Sequence, residues 1–190
     1  MHDSRRTSAA VTGLLTLALA ISSACGPSVE LRSTQLRPTG ERVLRVGVAP
    51  LENLSGNPSA GPAVTSAIIN ELRRRNVFQV VELDTNAPGA GERWTASKLG
   101  KGASVDAVLV GVVTSYNYDR MSGRGGSTLS PAISVDLRLV LSKSADVVWA
   151  AGVDAKLQRL FSSDGMPLEQ LAQSVGERVA EALLSLGAQG

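Results

Sequence analysis

Apolar and polar residues alternate along the middle of this chain in a way that predicts strands. The alternation is clearest over residues 133–141 and resumes over residues 147–155, after a short polar turn. A period of two, with one apolar face and one mostly polar face, predicts an antiparallel hairpin. Two further segments, residues 43–51 and 104–118, are apolar on both faces, which is typical of central strands covered on both sides.

Apolar residues recur at helical spacing in two other segments. Val64, Ile68 and Leu72 are spaced by four within residues 60–75, and a longer apolar stripe runs over residues 167–186. Three arginines close the first of these predicted helices. We interpret them as a solvated helix end rather than a binding patch, because cations complement the helix dipole there.

A strand over residues 78–83 and a short helix over residues 93–101 complete the predicted order β-α-β-(α)-β-β-β-α. This order predicts an α/β fold in which a single-layer mixed β-sheet is flanked by helices on both faces. The Gly- and Ser-rich residues 119–131 interrupt the pattern, and we predict that they form a mobile loop.

The first 24 residues have the layout of a secretory signal peptide. Arg5 and Arg6 precede an apolar run of about a dozen residues that begins at Val11, and small residues precede Cys25. The run is too short for an ordinary membrane-spanning helix, which needs about 20 apolar residues.

Residues 22–25, Ser-Ser-Ala-Cys, resemble a bacterial lipobox, although Ser22 stands where the motif usually has Leu. The resemblance implies that Cys25 becomes the mature N-terminus and carries acyl chains such as palmitate. Gly26, in place of Asp, implies the outer membrane and a domain that faces the periplasm. The alternative is ordinary signal cleavage that leaves a free or packed thiol. Since Cys25 is the only cysteine, no intramolecular disulfide can use it.

Residues 26–41 are polar, contain two prolines and show no sustained periodicity. We predict a flexible tether here, which would span about 50 Å if fully extended. The chain then divides into a signal peptide over residues 1–24, an acylated cysteine with its tether over residues 25–41, and one periplasmic domain over residues 42–188.

Composition narrows the range of partners. The 190 residues are 43% hydrophobic but only 3% aromatic, so the core must be aliphatic. The formal net charge of +2 falls to +1 without residues 1–24, since 17 basic and 16 acidic residues remain. No basic stripe with interleaved aromatic residues is present, and we therefore expect no nucleic-acid partner.

The residues of common catalytic sites are scarce. His2 is the only histidine and lies in the predicted signal peptide, and Cys25 is expected to be acylated. A His-based triad, a Cys–His dyad, a histidine metal site and a Cys₄ zinc site are thus excluded from the mature chain. The carboxylates that remain as candidates for an acid–base pair are Glu52, Asp106, Asp136 and Asp154. We interpret them as solvated or capping groups, and we expect no enzymatic activity, metal or cofactor.

A family resemblance rests on three segments. The sequence VGVAPLENLSGNP, residues 46–58, is followed by a helix and the strand FQVVE; VDAVLVGVVT begins at residue 105, and LRLVLSKSADVVWA begins at residue 137. Together they resemble the periplasmic domain of CsgG-like curli-secretion lipoproteins. The same fold is found in LpoB-type activators of peptidoglycan synthases and in the N-terminal domain of TolB. The resemblance covers residues 43–186 and implies a domain that binds an envelope protein.

We therefore expect a non-enzymatic, membrane-anchored lipoprotein that acts as a binding or assembly component of an envelope secretion or assembly system. One alternative is an LpoB-type activator, which typically has a long tether. Another is an oligomeric secretion channel, which needs membrane-spanning hairpins with strands of about 9–11 residues. The expected partners are the lipid bilayer, through acylated Cys25, an envelope protein and further copies of the chain. The residues expected to bind the protein partner are Glu52, Asn53 and Asn57 in one loop, and Arg120 and Arg124 in another.

Overall fold

The computed structural model describes residues 27–36, 43–76, 78–84, 95–123, 126–157 and 167–187, with the backbone alone at residues 120–123, 126–129 and 187. The strands within these ranges are β1 Ser28–Gln35, β2 Arg45–Val48, β3 Glu52–Asn53, β4 Gln79–Glu82, β5 Ala107–Gly123, β6 Gly126–Leu141 and β7 Val147–Lys156. The helices are α1 Ala60–Arg75, α2 Ala96–Gly102 and α3 Leu168–Gly187.

All seven strands belong to one mixed sheet, in the order β1-β7-β6-β5-β2-β4, with β3 beside β5. Strand β2 runs parallel to β4 and to β5, whereas β5, β6, β7 and β1 are antiparallel neighbours. The predicted α/β fold with a single mixed sheet is confirmed. The predicted hairpin is confirmed as β6 and β7, whose facing pairs run from Ala132 with Lys156 to Val140 with Val147.

Helices cover both faces of the sheet, as the sequence predicts, but unequally. Helices α1 and α3 pack side by side on one face, over the aliphatic side chains of β2, β5, β6 and β7. Fully buried side chains in this core include Ile68, Leu137, Trp149 and Leu171. The short helix α2 covers one end of the other face, where Leu99 packs near Val108.

Residues 28–35 correct the sequence prediction, which placed them in a flexible tether. They form β1, an edge strand that lies opposite β7 from the pair Ser28 and Lys156 to the pair Gln35 and Trp149. The half-buried side chains of β1, at positions 29 and 31, pack against the main core. Two apolar positions are too few to distinguish a strand from a polar coil unless the neighbouring strand is already known.

Residues 119–131 also differ from their prediction as a mobile loop. Residues 119–123 and 126–131 continue the ladder between β5 and β6, which extends to the pair Gly123 and Gly126, and residues 124 and 125 lie outside the described ranges. Gly and Ser have low strand propensity, which is why the local pattern did not predict a strand here. The ladder nevertheless extends through them, because its hydrogen bonds use backbone groups and start from a long, well-packed base.

A cluster of charged side chains joins the end of α1 to α3. The Glu71 carboxylate accepts hydrogen bonds from Arg74 at 2.8 Å and Arg75 at 2.7 Å, and Arg75 also bonds to Glu181 of α3 at 3.4 Å. These bonds lower the pKa of Glu71 from an ordinary value of 4.5 to about 2, and the bond from Arg74 has the largest effect. Arg74 is 66% exposed, as expected of a solvated helix end, whereas Arg75 is 24% exposed and is held between Glu71 and Glu181.

Candidate functional site

Strand β3 and the residues that join it to α1 hold part of the predicted partner-binding set; we call this segment, residues 52–59, the β3–α1 loop. Strand β3 lies beside β5, with Glu52 opposite Val112, and the Leu54 amide donates a hydrogen bond to the Val113 carbonyl oxygen at 2.9 Å. The loop therefore lies beside the middle of β5. Glu52 is exposed, and Leu54 is 72% exposed, so this region presents both a charge and an apolar side chain to solvent.

Asn53 and Asn57 shape this loop from within. The Asn53 side chain donates a hydrogen bond to the Asn57 carbonyl oxygen at 2.6 Å and accepts bonds from the amide and hydroxyl of Ser55. The Asn57 side-chain oxygen accepts bonds from the amide and hydroxyl of Ser59, at 3.1 and 2.9 Å. Such short-range bonds are typical of Asx turns. Both asparagines therefore set the conformation of the loop, a role that the sequence analysis did not assign to them.

The loop is also fixed to the start of α1. The buried Thr65 hydroxyl accepts a hydrogen bond from the Leu51 amide at 3.1 Å and donates one to the Gly61 carbonyl oxygen at 2.7 Å. A Cβ on Gly61 would lie only 2.8 Å from the Leu51 carbonyl oxygen. The chain entering the loop and the first turn of α1 are thus held in direct contact.

The structure separates Arg120 from this loop. Arg120 lies in β5 opposite Leu129. It is seven residues beyond Val113, the residue that bonds to the loop, which corresponds to about 23 Å along a strand. The two predicted binding loops are therefore distinct surfaces. Cys25 and Arg124 lie outside the described residues.

A groove on the second face of the sheet is the feature that the sequence analysis missed. It is shallow and open to solvent, with a volume of about 850 Å³. Arg32 of β1 lies opposite Gly152 of β7, and Asp136 of β6 faces Gly152 from the other side. On its other side, Asp136 lies opposite Val112 of β5. Val112 is also opposite Glu52 of β3, which lines the groove as well. One row of residues thus crosses five strands.

The groove carries charges of both signs. Arg32 and Arg138 contribute positive charge, whereas Glu52 and Asp136 contribute negative charge. Arg32 also donates a hydrogen bond to the Glu30 carboxylate at 2.8 Å, and this bond lowers the pKa of Glu30. All of these groups are exposed, so their interactions are weakened by solvent and salt. The arrangement suits recognition of a polar surface with charges of both signs.

A sequence signal existed for only part of the groove. Asp136 and Arg138 alternate with buried residues of β6, and their strand was predicted with one exposed face. Arg32 was assigned to the tether, so its position on the same face as Asp136 was not foreseen.

Two of the four carboxylates considered for acid–base chemistry have structural partners. The Asp106 carboxylate accepts hydrogen bonds from the backbone amides of Arg45 and Leu44 at 2.8 and 2.9 Å, and these bonds hold its pKa below the usual range. Asp154 accepts a hydrogen bond from the Ser134 hydroxyl at 2.7 Å.

In the ranges that the structure describes, no group of three or more His, Cys, Asp or Glu side chains is placed to hold a metal ion. Within the same ranges, no helix combines the length and apolar character needed to cross a membrane.

No protein-family model matches the sequence, and no curated protein matches it. Similarity to solved structures is extensive, however. The PelC dodecamer from Paraburkholderia phytofirmans is similar over 82% of this chain and 97% of that chain, with 24% sequence identity and a TM-score of 0.60.

Two further bacterial structures have a similar fold. The hypothetical protein CT253 from Chlamydia trachomatis matches with 11% identity and a TM-score of 0.58, over 77% of this chain and 99% of that chain. Protein XCC0632 from Xanthomonas campestris matches with 16% identity and a TM-score of 0.52, over 80% of this chain and 91% of that chain. At these identities the likeness shows the fold, which this chain shares with nearly the whole length of each of the three proteins.

Proposed function

We propose that this protein is a non-enzymatic lipoprotein of the outer membrane, anchored through Cys25, that faces the periplasm and assembles with further copies of itself in an envelope secretion or assembly system. The observation that carries the proposal is the fold similarity to PelC, since this chain covers 97% of a protein that forms a dodecamer. The similarity concerns the fold, and self-assembly is what the proposal adds.

The N-terminal sequence supports the proposed location at the outer membrane. The basic residues, the apolar run and the lipobox-like residues 22–25 lie in the order that a lipoprotein precursor requires, and Gly26 follows the cysteine. Several acyl chains on one cysteine provide stable anchoring, whereas a single chain is only marginally sufficient. The resemblance to CsgG-like lipoproteins supports a role in secretion.

The position of β1 favours an assembly that acts at the membrane surface. Ser28, the first residue of β1, follows Cys25 by three residues, so an acylated Cys25 would hold the sheet within about 11 Å of its attachment point. An LpoB-type activator uses a long tether to reach its synthase. Here residues 28–35 belong to the sheet, and this shortens the reach of the domain.

We place the contact with an envelope protein at Glu52 and the groove that it lines. Charges of both signs within one groove provide specificity for a partner with complementary charges more than they provide affinity. A photoreactive amino acid at Glu52 should crosslink to that partner in cells. The same group at Asn70, which is exposed on α1, serves as the control and should not.

The oligomeric state is tested by light scattering from the native particle extracted in detergent. We expect one discrete species several times heavier than the 19.7 kDa chain. A monomer would contradict the proposed self-assembly.

The lipid anchor is tested by cell fractionation. The Cys25→Ala variant should be lost from the outer-membrane fraction, whereas the Ser22→Leu variant, which restores the usual lipobox residue, should remain in it. Retention of the Cys25→Ala variant would refute lipid anchoring.

A further inference from the structure

The first residue of β1 and the long β5–β6 hairpin lie at the same end of the sheet. Ser28 is opposite Lys156, Lys156 is opposite Ala132, and Ala132 is opposite Asn117. These four residues form one row across β1, β7, β6 and β5. The chain that precedes Ser28 therefore enters the sheet at the end toward which β5 runs.

Beyond this row, the hairpin extends past the described parts of its neighbouring strands. Leu157 still contacts its first two positions: the Leu157 amide donates a hydrogen bond to the Pro131 carbonyl oxygen at 3.4 Å, and the Ser130 hydroxyl donates one to the Leu157 carbonyl oxygen at 2.6 Å. Strand β7 ends at Lys156 and β1 begins at Ser28, whereas β5 and β6 remain paired through six more positions, from Tyr118 with Pro131 to Gly123 with Gly126. Six residues of a strand span about 20 Å. We call this projecting part, residues 118–123 and 126–131, the arm.

The arm extends farther than the chain that joins Cys25 to the sheet. Ser28 is three positions after Cys25, and this stretch of chain spans at most about 11 Å. Two strand spacings, about 10 Å, separate β1 from β6 across the sheet. If Cys25 is held at a membrane, the end of the arm lies close beside it and reaches at least as far along the strand direction.

We propose that the end of the arm, at Gly123 and Gly126, lies in the headgroup layer of the membrane that holds Cys25 and forms a second contact with it. This inference rests on the proposed lipid anchor. Two contacts on one end of the sheet fix the orientation of the domain, with the opposite end, at the β6–β7 turn, directed away from the bilayer.

The depth of this contact follows from the backbone and the composition of the arm. A two-stranded hairpin has unpaired backbone groups on both outer edges, which are costly to place in hydrocarbon but are hydrated among headgroups. The arm, residues 118–123 and 126–131, contains one aspartate, one arginine and mostly small or polar residues.

The test uses the mature lipoprotein in vesicles of phosphatidylethanolamine and phosphatidylglycerol that contain a headgroup-linked quencher. Acylation consumes the thiol of Cys25, so a single new cysteine can carry an environment-sensitive fluorophore. Ser127→Cys places the fluorophore on the arm, and Ser122→Cys, on the facing residue of β5, gives a second position. Ser144→Cys, in the turn at the opposite end, is the matched control.

We expect the quencher to reduce fluorescence at both arm positions at least twofold and to leave the Ser144 position unchanged. Mass spectrometry of the same preparation establishes whether Cys25 is acylated. Unquenched arm positions on an acylated protein would overturn the membrane contact and leave the anchor intact. An unacylated Cys25 would overturn the proposed anchor and this inference together. If the fluorophores on the arm are already shielded from solvent in detergent, without vesicles, the arm contacts protein instead of the membrane, and this inference is also overturned.

Discussion

Ser28 lies opposite Lys156 in the ladder between β1 and β7, and its hydroxyl donates a hydrogen bond to the Lys156 carbonyl oxygen at 3.1 Å. The two residues are 128 positions apart in the sequence. Their pairing determines where the N-terminal segment meets the domain, and therefore which end of the sheet faces the proposed anchor.

Hydrogen exchange should show that β1 is part of the folded domain. The Leu36 amide donates to the Val148 carbonyl oxygen at 3.0 Å, so alternation in the antiparallel ladder directs the amides of Arg32 and Thr34 toward β7. We expect these amides to exchange slowly and those of Leu31 and Ser33 to exchange rapidly, as measured by NMR. Uniformly rapid exchange across the four would mean that the segment is a tether after all.

Substitution of Gly176 should destabilise the packing of α3 on α1. A Cβ at this position would lie 2.7 Å from the Ala67 carbonyl oxygen, closer than packing allows. We expect Gly176→Ala to lower the free energy of unfolding by about 1–3 kcal/mol in urea denaturation.

Gly102→Ala is the matched control for this substitution. Gly102 is also helical, but a Cβ there meets no atom within 4 Å. Because Ala has the higher helix propensity, this variant should be neutral or more stable by up to about 1 kcal/mol. Equal losses in the two variants would rule out close helix packing as the cause.

The Glu71 cluster should make stability depend on pH in the acidic range. The pKa of Glu71 falls from an ordinary value of 4.5 to about 2 in the folded protein, chiefly through the hydrogen bond from Arg74. The ionised group therefore contributes its full stabilisation above about pH 4.5, and the contribution is lost as the pH falls toward 2.

Glu71→Gln should remove this dependence. At neutral pH we expect a loss of about 1–2 kcal/mol, reduced by solvent screening because the Arg74 side chain is 66% exposed. Thermal unfolding at a series of pH values measures both effects. Gln173→Ala, at an exposed and uncharged position of α3, should leave the pH profile unchanged. If the two variants have the same profile, the cluster does not contribute as described.

The asparagines of the β3–α1 loop should prove important for stability. Asn57→Ala removes the acceptor for two bonds from Ser59 and should cost about 1 kcal/mol, whereas Asn57→Asp retains an acceptor and should cost less. Glu52→Gln, on an exposed side chain, should stay within about 0.5 kcal/mol of the wild type. Chemical denaturation compares the three variants. An Asn57→Ala protein as stable as the wild type would argue against a structural role for this loop network.

The elements with long, regular patterns were predictable from the sequence. Val64, Ile68 and Leu72 are spaced at the helical period because one side of α1 is buried. Each buried position of the helix therefore adds to the same periodic signal in the sequence. The β6–β7 hairpin was predictable for the equivalent reason. Glu52, Asn53 and Asn57 were predicted to lie in one loop, whereas Glu52 and Asn53 form the short strand β3. The hydrogen bonds that Asn53 and Asn57 make could not be inferred from their identity.

Strand pairing was decided by tertiary structure. By itself, the sequence determined the order of the main helices and strands, the aliphatic core and the scarcity of catalytic side chains, because these depend on local periodicity and composition. It did not determine that β1 completes the sheet, that Arg32 and Asp136 share one groove, or that the arm and the start of β1 lie at one end. Those relationships depend on backbone hydrogen bonds between residues far apart in the chain, and such bonds leave little trace in the side chains of either partner.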